Sequence, residues 1–447
     1  MSFIIEPAKK VPIIYEADVC VIGGSATGVF AAVRAARLGA RVVIVEKQNS
    51  FGGVATNGLV AVWHTFNDKT GKNQIISGLT EEVVNRIDPI DSQPGDCNTH
   101  FFNPHEMKIE LDAMLKEQNV KIYLHTYYAG LITDGNRIDC VLVENKDGRG
   151  AIKARFFVDA TGDGDLCRDL GVEHYVNDNI QPPSAVMLVQ GKAPAMGQSG
   201  LLHEHHKEFD MDDDWGWTTD LPGLLNMEMR ADTHIFNVMC NKADDLTKAE
   251  IEGREKMRKI IRMLRKYGDP EQVYSIVAAC SYIGIRDTYH YKTKYQANYL
   301  ELLLGKNYDD NILNGTYNID VHHKERGIMF MQFDGTYTQE STDGTIYHGN
   351  WRKENGIDPN LPVPTCYHLP FKCLVGEKYE NIIAAGRMIN ADQPSFGALR
   401  VMVNLNQIGE AAGVAAFVAC DQNKSVQDIN GVDVAKLLSK GGSANLG

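Results

Sequence analysis

The stretch VCVIGGSATGVFAA, residues 19–32, decides the fold predicted for this chain. A short apolar run ends in a glycine-rich turn and an alanine-rich segment follows, which indicates a buried strand, a tight turn and a helix. Gly23 and Gly28 stand at the first and third positions of the Gly-x-Gly-x-x-Gly fingerprint, but Ser25 stands at the second. A second apolar run, residues 41–47, completes one β-α-β unit.

The second strand of this unit ends in a carboxylate. Glu46 follows Gly28 by 18 residues, a spacing at which an acidic side chain accepts hydrogen bonds from ribose hydroxyls. Ser25 adds one hydroxymethyl group where backbone approaches a pyrophosphate, so it either crowds the phosphate or donates to it. We expect a dinucleotide site here, because a glycine turn that only packs a strand on a helix does not explain Glu46.

Composition narrows the classes of partner. The 447 residues carry a formal charge of −13, which disfavours nucleic acid and an anionic membrane surface. No apolar stretch approaches the roughly 20 residues of a membrane span, and the N-terminus lacks the pattern of a signal peptide. Nine cysteines without a Cys-x-x-Cys motif predict a reducing, cytoplasmic location.

Further segments predict how the fold continues. Residues 51–59 form a second glycine-rich loop, and residues 105–120 form an amphipathic helix. Residues 121–166 predict an antiparallel meander with turns at 134–135 and 147–148. Residues 380–420 predict a strand, a loop and one long helix of small residues.

Taken with VDATGDGD (158–165), IGIRDTY (283–289) and AAGRMI (384–389), these segments resemble the FAD-dependent oxidoreductase family of the glutathione-reductase-like flavoprotein superfamily. The resemblance implies an α/β fold: an FAD-binding Rossmann-like domain with a parallel sheet and a β-meander, and an inserted α+β substrate or cap domain. It implies domain bounds of 1–176 and 366–447 for FAD and 177–365 for the cap. The cofactor is expected to be non-covalent FAD, since no histidine immediately precedes the loop at 51–59.

The cofactor site is expected at the glycine turn, the second loop, the 158–165 motif and the C-terminal Gly-Arg segment. The predicted FAD-binding residues are Gly23, Gly24, Ser25, Ala26, Thr27, Gly28, Glu46, Lys47, Gly52, Gly53, Val54, Ala55, Ala160, Thr161, Gly162, Gly386, Arg387 and Ala398. A helix beginning near Gly397 and Ala398 would direct its positive end at the flavin pyrimidine and favour negative charge there.

Five side chains are candidates for the chemistry: Arg286, His290, His368, Arg387 and Arg400. An arginine can bind a substrate carboxylate or stabilise an anion, and a histidine or Tyr289 can act as acid or base. Each also has a structural reading, for example an Arg286–Asp287 pair between domains. Where related sequences read Gly-x-Arg-Glu-Thr-Arg-Arg, this chain has Tyr289 and His290 in place of the last two arginines, so the family does not identify the substrate.

Two features of the middle region complete the predictions. A helix over 247–270 is predicted to begin with a Thr247–Glu250 capping box and to bury Met257, Ile260, Ile261 and Leu264. The histidines 203, 205 and 206 lie close together, but we expect a wet surface loop there and no metal site.

The predicted function is hydride transfer between a small polar organic substrate and flavin N5. Residues 167–447 contain no second dinucleotide fingerprint in a strand-to-helix context, so an external electron acceptor or donor replaces a fixed nicotinamide. Two alternatives stay open: reduction of an activated C=C bond with electrons from a partner, and an electron-transfer subunit without its own substrate site. A plain NAD dehydrogenase is disfavoured because the 384–416 segment would have no role. A homo-oligomer is left open.

Overall fold

A computed structural model describes residues 3–95, 99–192, 200–214, 216–323, 327–341 and 344–444. The strands are β1 Ile13–Ile22, β2 Val42–Val45, β3 Val62–Trp63, β4 Ser92–Pro94, β5 His100–Phe102, β6 Lys121–Tyr123, β7 Tyr127–Asp134, β8 Arg137–Asn145, β9 Gly148–Asp159, β10 His174–Tyr175, β11 Met187–Gln190, β12 Trp217–Asp220, β13 Met227–Ala231, β14 Ser275–Ala279, β15 His290–Tyr291, β16 Asn311–Gly315, β17 Ile319–His323, β18 Gly327–Met331, β19 Thr336–Glu340, β20 Ile346–Asn350, β21 Tyr367–Pro370 and β22 Ile382–Ala384. The α-helices are α1 Ala26–Arg37, α2 Gly78–Arg86, α3 Pro104–Glu117, α4 Asp165–Asp169, α5 Leu201–His205, α6 Ala243–Tyr267, α7 Tyr299–Leu303, α8 Trp351–Glu354, α9 Gln393–Leu399, α10 Met402–Gln422 and α11 Gly431–Lys440.

The main sheet takes strands from both ends of the chain. Its order is β6-β2-β1-β9-β8-β7, with β22 beside β9. Strands β2 and β9 both run parallel to β1, and β22 runs parallel to β9. Strands β7, β8 and β9 form an antiparallel meander. The buried faces of β1 and β2 are almost wholly apolar, as expected for parallel strands covered on both sides. The predicted α/β fold class is therefore confirmed.

Small residues let α10 lie directly on α1. A Cβ added at Gly409 would come within 2.2 Å of the carbonyl oxygen of Thr27, and one at Gly413 within 2.1 Å of that of Ala31. The same interface buries an ion pair in which Arg34 Nε donates to Glu410 Oε2 over 2.7 Å. Helix α10 thus holds α1, and with it the glycine turn, in place.

The middle of the chain forms separate antiparallel sheets. One has the order β12-β13-β11-β14 and another the order β17-β18-β19-β20. The predicted stripe on α6 is confirmed, since its four apolar residues are buried. The predicted capping box is wrong: α6 begins at Ala243, so Thr247 lies inside the helix and its hydroxyl donates back to the Ala243 carbonyl over 2.8 Å. Glu250 instead accepts from the Ile283 N–H over 2.6 Å.

The predicted single helix near the C-terminus is two helices. The helix α9 ends at Leu399, α10 begins at Met402, and the two axes meet at 86°. Among the described residues, no single helix has the length and apolarity of a membrane span, and α9 with α10 meets that test of length and composition only as a bent pair.

Candidate active site

One cavity of about 700 Å³ lies between the main sheet and the middle sheets. Its wall includes the turn between β1 and α1, the end of β2, the loop 52–54, the loop after β9, and the start of α10. Residues of the middle region, from Ser184 to Glu340, line it as well, together with residues 57–64, 126–128 and 386–387. The volume lies in the range of roughly 300–1,000 Å³ that is usual for ligand and cofactor sites.

The glycine turn at one end of the cavity has no room for side chains. Gly23 has a φ of +104°, and a Cβ there would lie 2.2 Å from the Ala160 carbonyl oxygen. A Cβ at Gly28 would lie 1.9 Å from the Gly23 carbonyl oxygen, which is why the third fingerprint position needs glycine. Strand, turn and helix therefore pack as closely as the fingerprint predicts.

Ser25 fits this turn because a second glycine makes room for it. It is the N-cap residue of α1 and its side chain makes no capping hydrogen bond. Gly53 has a φ of +55°, and a Cβ on it would lie 3.0 Å from the Ser25 Cβ. The Gly52 N–H donates to the Gly24 carbonyl over 2.8 Å, which ties the loop to the turn. The serine is thus packed against the loop 52–53.

Glu46 braces the same turn from the end of β2. Its carboxylate accepts from the Gly24 N–H over 2.5 Å and from the Gln48 N–H over 2.7 Å. Burial raises the pKa of this carboxyl, against the effect of the two N–H groups. Since Glu46 also lines the cavity, its carboxylate is positioned beside any ligand that occupies the turn.

The 158–165 motif holds an arginine at the cavity. A Cβ on Gly162, whose φ is +82°, would lie 2.2 Å from Arg387 Nη1. The Asp163 carboxylate accepts from the Thr288 hydroxyl over 2.9 Å and forms an ion pair with Arg387 Nη2. Asp159, fully buried, accepts from the N–H groups at the start of α4. These contacts fix Arg387 in the cavity wall.

The structure brings most of the sequence-predicted residues to this one cavity. Those that line it are Gly23, Gly24, Ser25, Ala26, Thr27, Glu46, Lys47, Gly52, Gly53, Val54, Ala160, Thr161, Gly162, Gly386, Arg286, Arg387 and Arg400. Those that do not are Gly28, Ala55, Ala398, His290 and His368. Ala398 is buried in α9, and the helix start that lines the cavity is Met402, preceded by Val401.

The two predicted histidines have structural contacts instead. His290 is fully buried, with Nδ1 2.8 Å from the Ile389 carbonyl and Nε2 2.9 Å from Asp287 Oδ1. Asp287 is therefore paired with His290, and the alternative Arg286–Asp287 pair is wrong. His368 lies on β21 with Nδ1 2.9 Å from Asn314 Oδ1. Neither ring lines the cavity, because each faces a packed neighbour.

Arg286, Arg400 and Asp320 form a charged group at the far end of the cavity. Arg400 Nη2 donates to Asp320 Oδ2 over 3.0 Å. Burial by itself would raise the pKa of the Asp320 carboxyl, but the hydrogen bond from His322 Nε2, 3.2 Å from Asp320 Oδ1, and the charge of Arg400 hold it well below its usual range. Burial and the nearby charge of Arg400 lower the pKa of Arg286 to about 10, so both arginines are cationic at neutral pH.

Three histidines and a tyrosine around this group were missed by the sequence analysis: His64, His234, Tyr317 and His322. Burial lowers the pKa of His64 to about 4 and that of His322 to about 3, so both rings are neutral at pH 7. The Tyr317 hydroxyl donates to Asp320 Oδ2 over 3.0 Å. A sequence signal existed for one pair only: Asp320 and His322 alternate with the apolar Ile319 and Val321, so the two polar side chains share one face of strand β17.

His64 and His234 differ in how they are held. His234 Nδ1 lies 2.7 Å from Asp214 Oδ1, and the His234 N–H donates to Asp214 Oδ2 over 2.6 Å. His64 stacks at an angle on Tyr317, with ring centroids 5.0 Å apart, and makes no hydrogen bond to a described residue. Its ring nitrogens are therefore available to a ligand in the cavity.

The chain is similar to known flavoproteins in both fold and sequence. The fold resembles that of a geranylgeranyl bacteriochlorophyll reductase-like protein from Thermoplasma acidophilum, with a TM-score of 0.52 and 11% identity over 95% of this chain and 84% of the other. The family model for FAD dependent oxidoreductases matches residues 18–438. The chain belongs to that family: it is a flavoenzyme, and its cofactor is FAD, as the sequence predicts.

Two other solved structures have lower TM-scores. A p-nitrophenol 4-monooxygenase from Pseudomonas putida has a TM-score of 0.45 and 10% identity, covering 95% of this chain and 85% of that one. A myxobacterial chondrochloren halogenase has a TM-score of 0.45 and 13% identity, covering 96% and 78%. Among curated proteins, none matches the chain.

Proposed function

We propose that this FAD-dependent oxidoreductase transfers a hydride between a small polar organic substrate and flavin N5. One observation carries the proposal: a single cavity joins the glycine turn and Glu46 to the group of Arg286, Arg400 and His64. A dinucleotide site and a set of acid, base and cationic side chains thus share one enclosed space, as an enzyme of this class requires.

The residues of the turn fit FAD. The first N–H groups of α1, those of Ala26, Thr27 and Gly28, have no carbonyl partner within the helix and attract a pyrophosphate. Gly23 and Gly24 admit it because side chains there would clash with Ala160 and Phe51. Glu46 is placed to accept from ribose hydroxyls. We assign the cavity-lining residues of the predicted set to FAD, with Gly28 acting through the shape of the turn.

The start of α10 takes the role first expected near Ala398. Val401 and Met402 line the cavity, and the positive end of this 21-residue helix favours negative charge on a bound ring. Such a field makes the ring a better electron acceptor. This assignment is supported by the two-helix arrangement, because α9 keeps Ala398 away from the cavity.

His64 is the group we assign to proton transfer. When bound, FAD supplies a two-electron acceptor or donor, and the proton that accompanies a hydride needs a separate site. His64 is neutral at pH 7 and its ring nitrogens have no partner among the described residues, so it can accept the proton of an alcohol or amine. Arg286 and Arg400 bind the polar substrate and orient it.

The domain bounds are likewise a proposal. The proposed FAD contacts come from 1–176 and 366–447. On the substrate side, Arg286, Tyr317 and Asp320 come from 177–365, whereas His64 and Arg400 reach the cavity from the FAD-binding segments. This division is supported by the main sheet, which takes strands from both ends of the chain. The cytoplasmic location and the external electron partner stay predictions from sequence.

Anaerobic flavin reduction tests the proposal. FAD-loaded enzyme is mixed with a panel of hydroxy acids, alcohols, amines and sugars, and bleaching of the flavin absorbance is followed. We expect at least one member to bleach wild type, and His64→Gln to slow that reaction by about 10²–10⁴-fold without loss of FAD. The exposed His348→Gln is the matched control. If no panel member reduces the flavin, hydride transfer from these classes of substrate to the flavin is excluded.

Tyr317 favours a second candidate, reduction of an activated C=C bond. Burial and Asp320 raise the pKa of the Tyr317 hydroxyl, so it stays protonated and can donate to a carbanion-like carbon. Photoreduced enzyme that is reoxidised anaerobically by an enoate, and that no alcohol or amine reduces, would favour this reaction. If no enoate reoxidises the photoreduced enzyme, reduction of an activated C=C bond is excluded.

A further inference from the structure

Arg286 is a cation in the cavity wall without an acidic partner among the described residues. Its Nη1 donates to the Pro182 carbonyl over 2.8 Å and to the Ser184 hydroxyl over 2.6 Å, both neutral acceptors. The other two arginines of the described wall do have carboxylates, since Arg387 pairs with Asp163 and Arg400 with Asp320. A largely buried guanidinium without a counter-charge is costly unless a ligand supplies one.

The acidic side chains around Arg286 are bonded to other groups. Arg286 and Arg400 lie close enough that the charge of Arg400 lowers the pKa of Arg286, and Asp320 is bonded only to Arg400 of the two. His64 and His322 are neutral at pH 7. Asp214, a further acid in this region, contacts the ring and N–H of His234. No carboxylate therefore pairs directly with Arg286 among the described residues, and Asp320 and Asp214 act on its charge only from a distance.

The free donors of this group suit a planar anion. Nε and Nη2 of Arg286 make no hydrogen bond to a described residue, and they lie on one edge of the guanidinium as a two-donor fork. The buried Nε of Arg400 also has no partner in the described part of the chain. A carboxylate accepts two parallel N–H bonds from such a fork and carries a single negative charge.

We propose that the substrate is a small monocarboxylate whose carboxylate group binds Arg286, with Arg400 as the second donor. The inference rests on the proposed function for the chemistry that follows binding, and it adds the class of substrate. Because Asp320 and Asp214 already lie near Arg286, a singly charged carboxylate is favoured over a dianionic phosphate. The carboxylate at Arg286 places the rest of the molecule in the same cavity as His64.

Binding to FAD-loaded enzyme tests the substrate class directly. Acetate, glycolate and benzoate are titrated at pH 7 beside their primary amides and inorganic phosphate, and the change in flavin absorbance gives each Kd. We expect at least one carboxylate to bind about 10–100-fold more tightly than its amide and than phosphate. Arg286→Gln should remove that preference, and Arg286→Lys should keep part of it, because the charge remains without the fork.

Arg254→Gln, which removes an exposed arginine of α6, is the control and should bind as wild type. The proposal is overturned if no carboxylate perturbs the flavin, if amides or phosphate bind as tightly, or if folded, FAD-loaded Arg286→Gln keeps the wild-type preference. Failure of the two proposals is distinguishable. Flavin reduction by an uncharged alcohol without carboxylate preference contradicts only the substrate class, whereas selective carboxylate binding without flavin reduction or reoxidation contradicts only the proposed reactions.

Discussion

At the scale of single residues, Glu46 combines two roles, since its carboxylate accepts from the turn and faces the cavity. Glu46→Gln keeps the size of the side chain but replaces one acceptor oxygen with a donor. We expect the Kd of FAD to rise by about 10-fold, the effect of losing one charge-assisted hydrogen bond. Fluorescence titration of apoprotein with FAD measures this. An unchanged Kd, equal to that of the exposed control Glu255→Gln, would show that Glu46 does not contact the nucleotide.

His64 makes stability depend on pH. Its pKa is about 4 in the folded protein, below the roughly 6.5 of an unfolded chain, so acid favours the unfolded state. The free energy of unfolding therefore falls as pH drops below 6.5, and the loss is complete near pH 4. Between pH 7 and pH 5, His64 contributes on the order of 1–2 kcal/mol to this loss of unfolding free energy.

Urea denaturation at pH 7 and pH 5 checks the direction and the residue. His64→Gln should lose less stability between these two pH values than wild type, whereas the exposed His348→Gln should lose as much as wild type. Equal losses in all three proteins would mean that His64 titrates normally.

The sequence could predict the site residues that the backbone geometry of the β-α-β unit requires. The glycine turn and Glu46 follow a spacing that the fold imposes, so the sequence predicts them, and the structure brings both to the cavity. His64 and His234 were not predicted, because each stands alone in its local sequence and only tertiary packing brings them to one cavity. His290 was assigned wrongly for the same reason: its neighbours Ile389 and Asp287 satisfy both ring nitrogens.

At the scale of elements, the contact between α1 and α10 links the C-terminus to the cofactor site. Gly409→Ala would place a methyl group 2.2 Å from the Thr27 carbonyl and push the helices apart. We expect the free energy of unfolding to fall by about 1–3 kcal/mol and FAD to bind more weakly, since Thr27 lies in the first turn of α1. Chemical denaturation and FAD titration measure the two effects.

Gly376→Ala is the matched control, because its new methyl group would have only a carbonyl oxygen 3.9 Å away. It should behave as wild type in both measurements. If Gly409→Ala also behaves as wild type, the close contact of α1 and α10 is not needed for FAD binding.

Element types were predicted better than element ends. The β-α-β unit, the meander and the buried stripe of α6 follow from periodicity and turn residues. The true start of α6 and the break between α9 and α10 do not, because Thr247 and Glu250 match a capping box by sequence and residues 400–401 carry no glycine or proline. Contacts distant in sequence, such as that of Glu250 with Ile283, decide these ends.

At the scale of the whole molecule, FAD should stabilise the fold as any ligand of the native state does. With free FAD at 100 times its Kd, the gain is about 2.7 kcal/mol for a site absent from the unfolded chain. We expect the Tm of apoprotein to rise with FAD concentration. Since the sequence predicts non-covalent FAD, we also expect denaturation of the holoenzyme to release free FAD. FAD that stays with the denatured chain on a sizing column would contradict non-covalent binding.

The order of family motifs along the chain predicts the sheet shared by both ends, and the structure agrees. What sequence could not supply is the arrangement of residues 177–365, whose short antiparallel sheets lack a spacing rule that ties them to the cofactor. That region contributes Arg286, Tyr317 and Asp320, so the substrate side is the part of the site that needs three-dimensional information.

A crystal structure of the FAD-loaded protein tests the central claim most directly. The account predicts the pyrophosphate at the N-terminus of α1, the ribose at Glu46, and the flavin ring beside Met402 on the side of the cavity that holds His64 and Arg286. A flavin ring outside this cavity, or on the far side of the main sheet from Arg286 and His64, would contradict it.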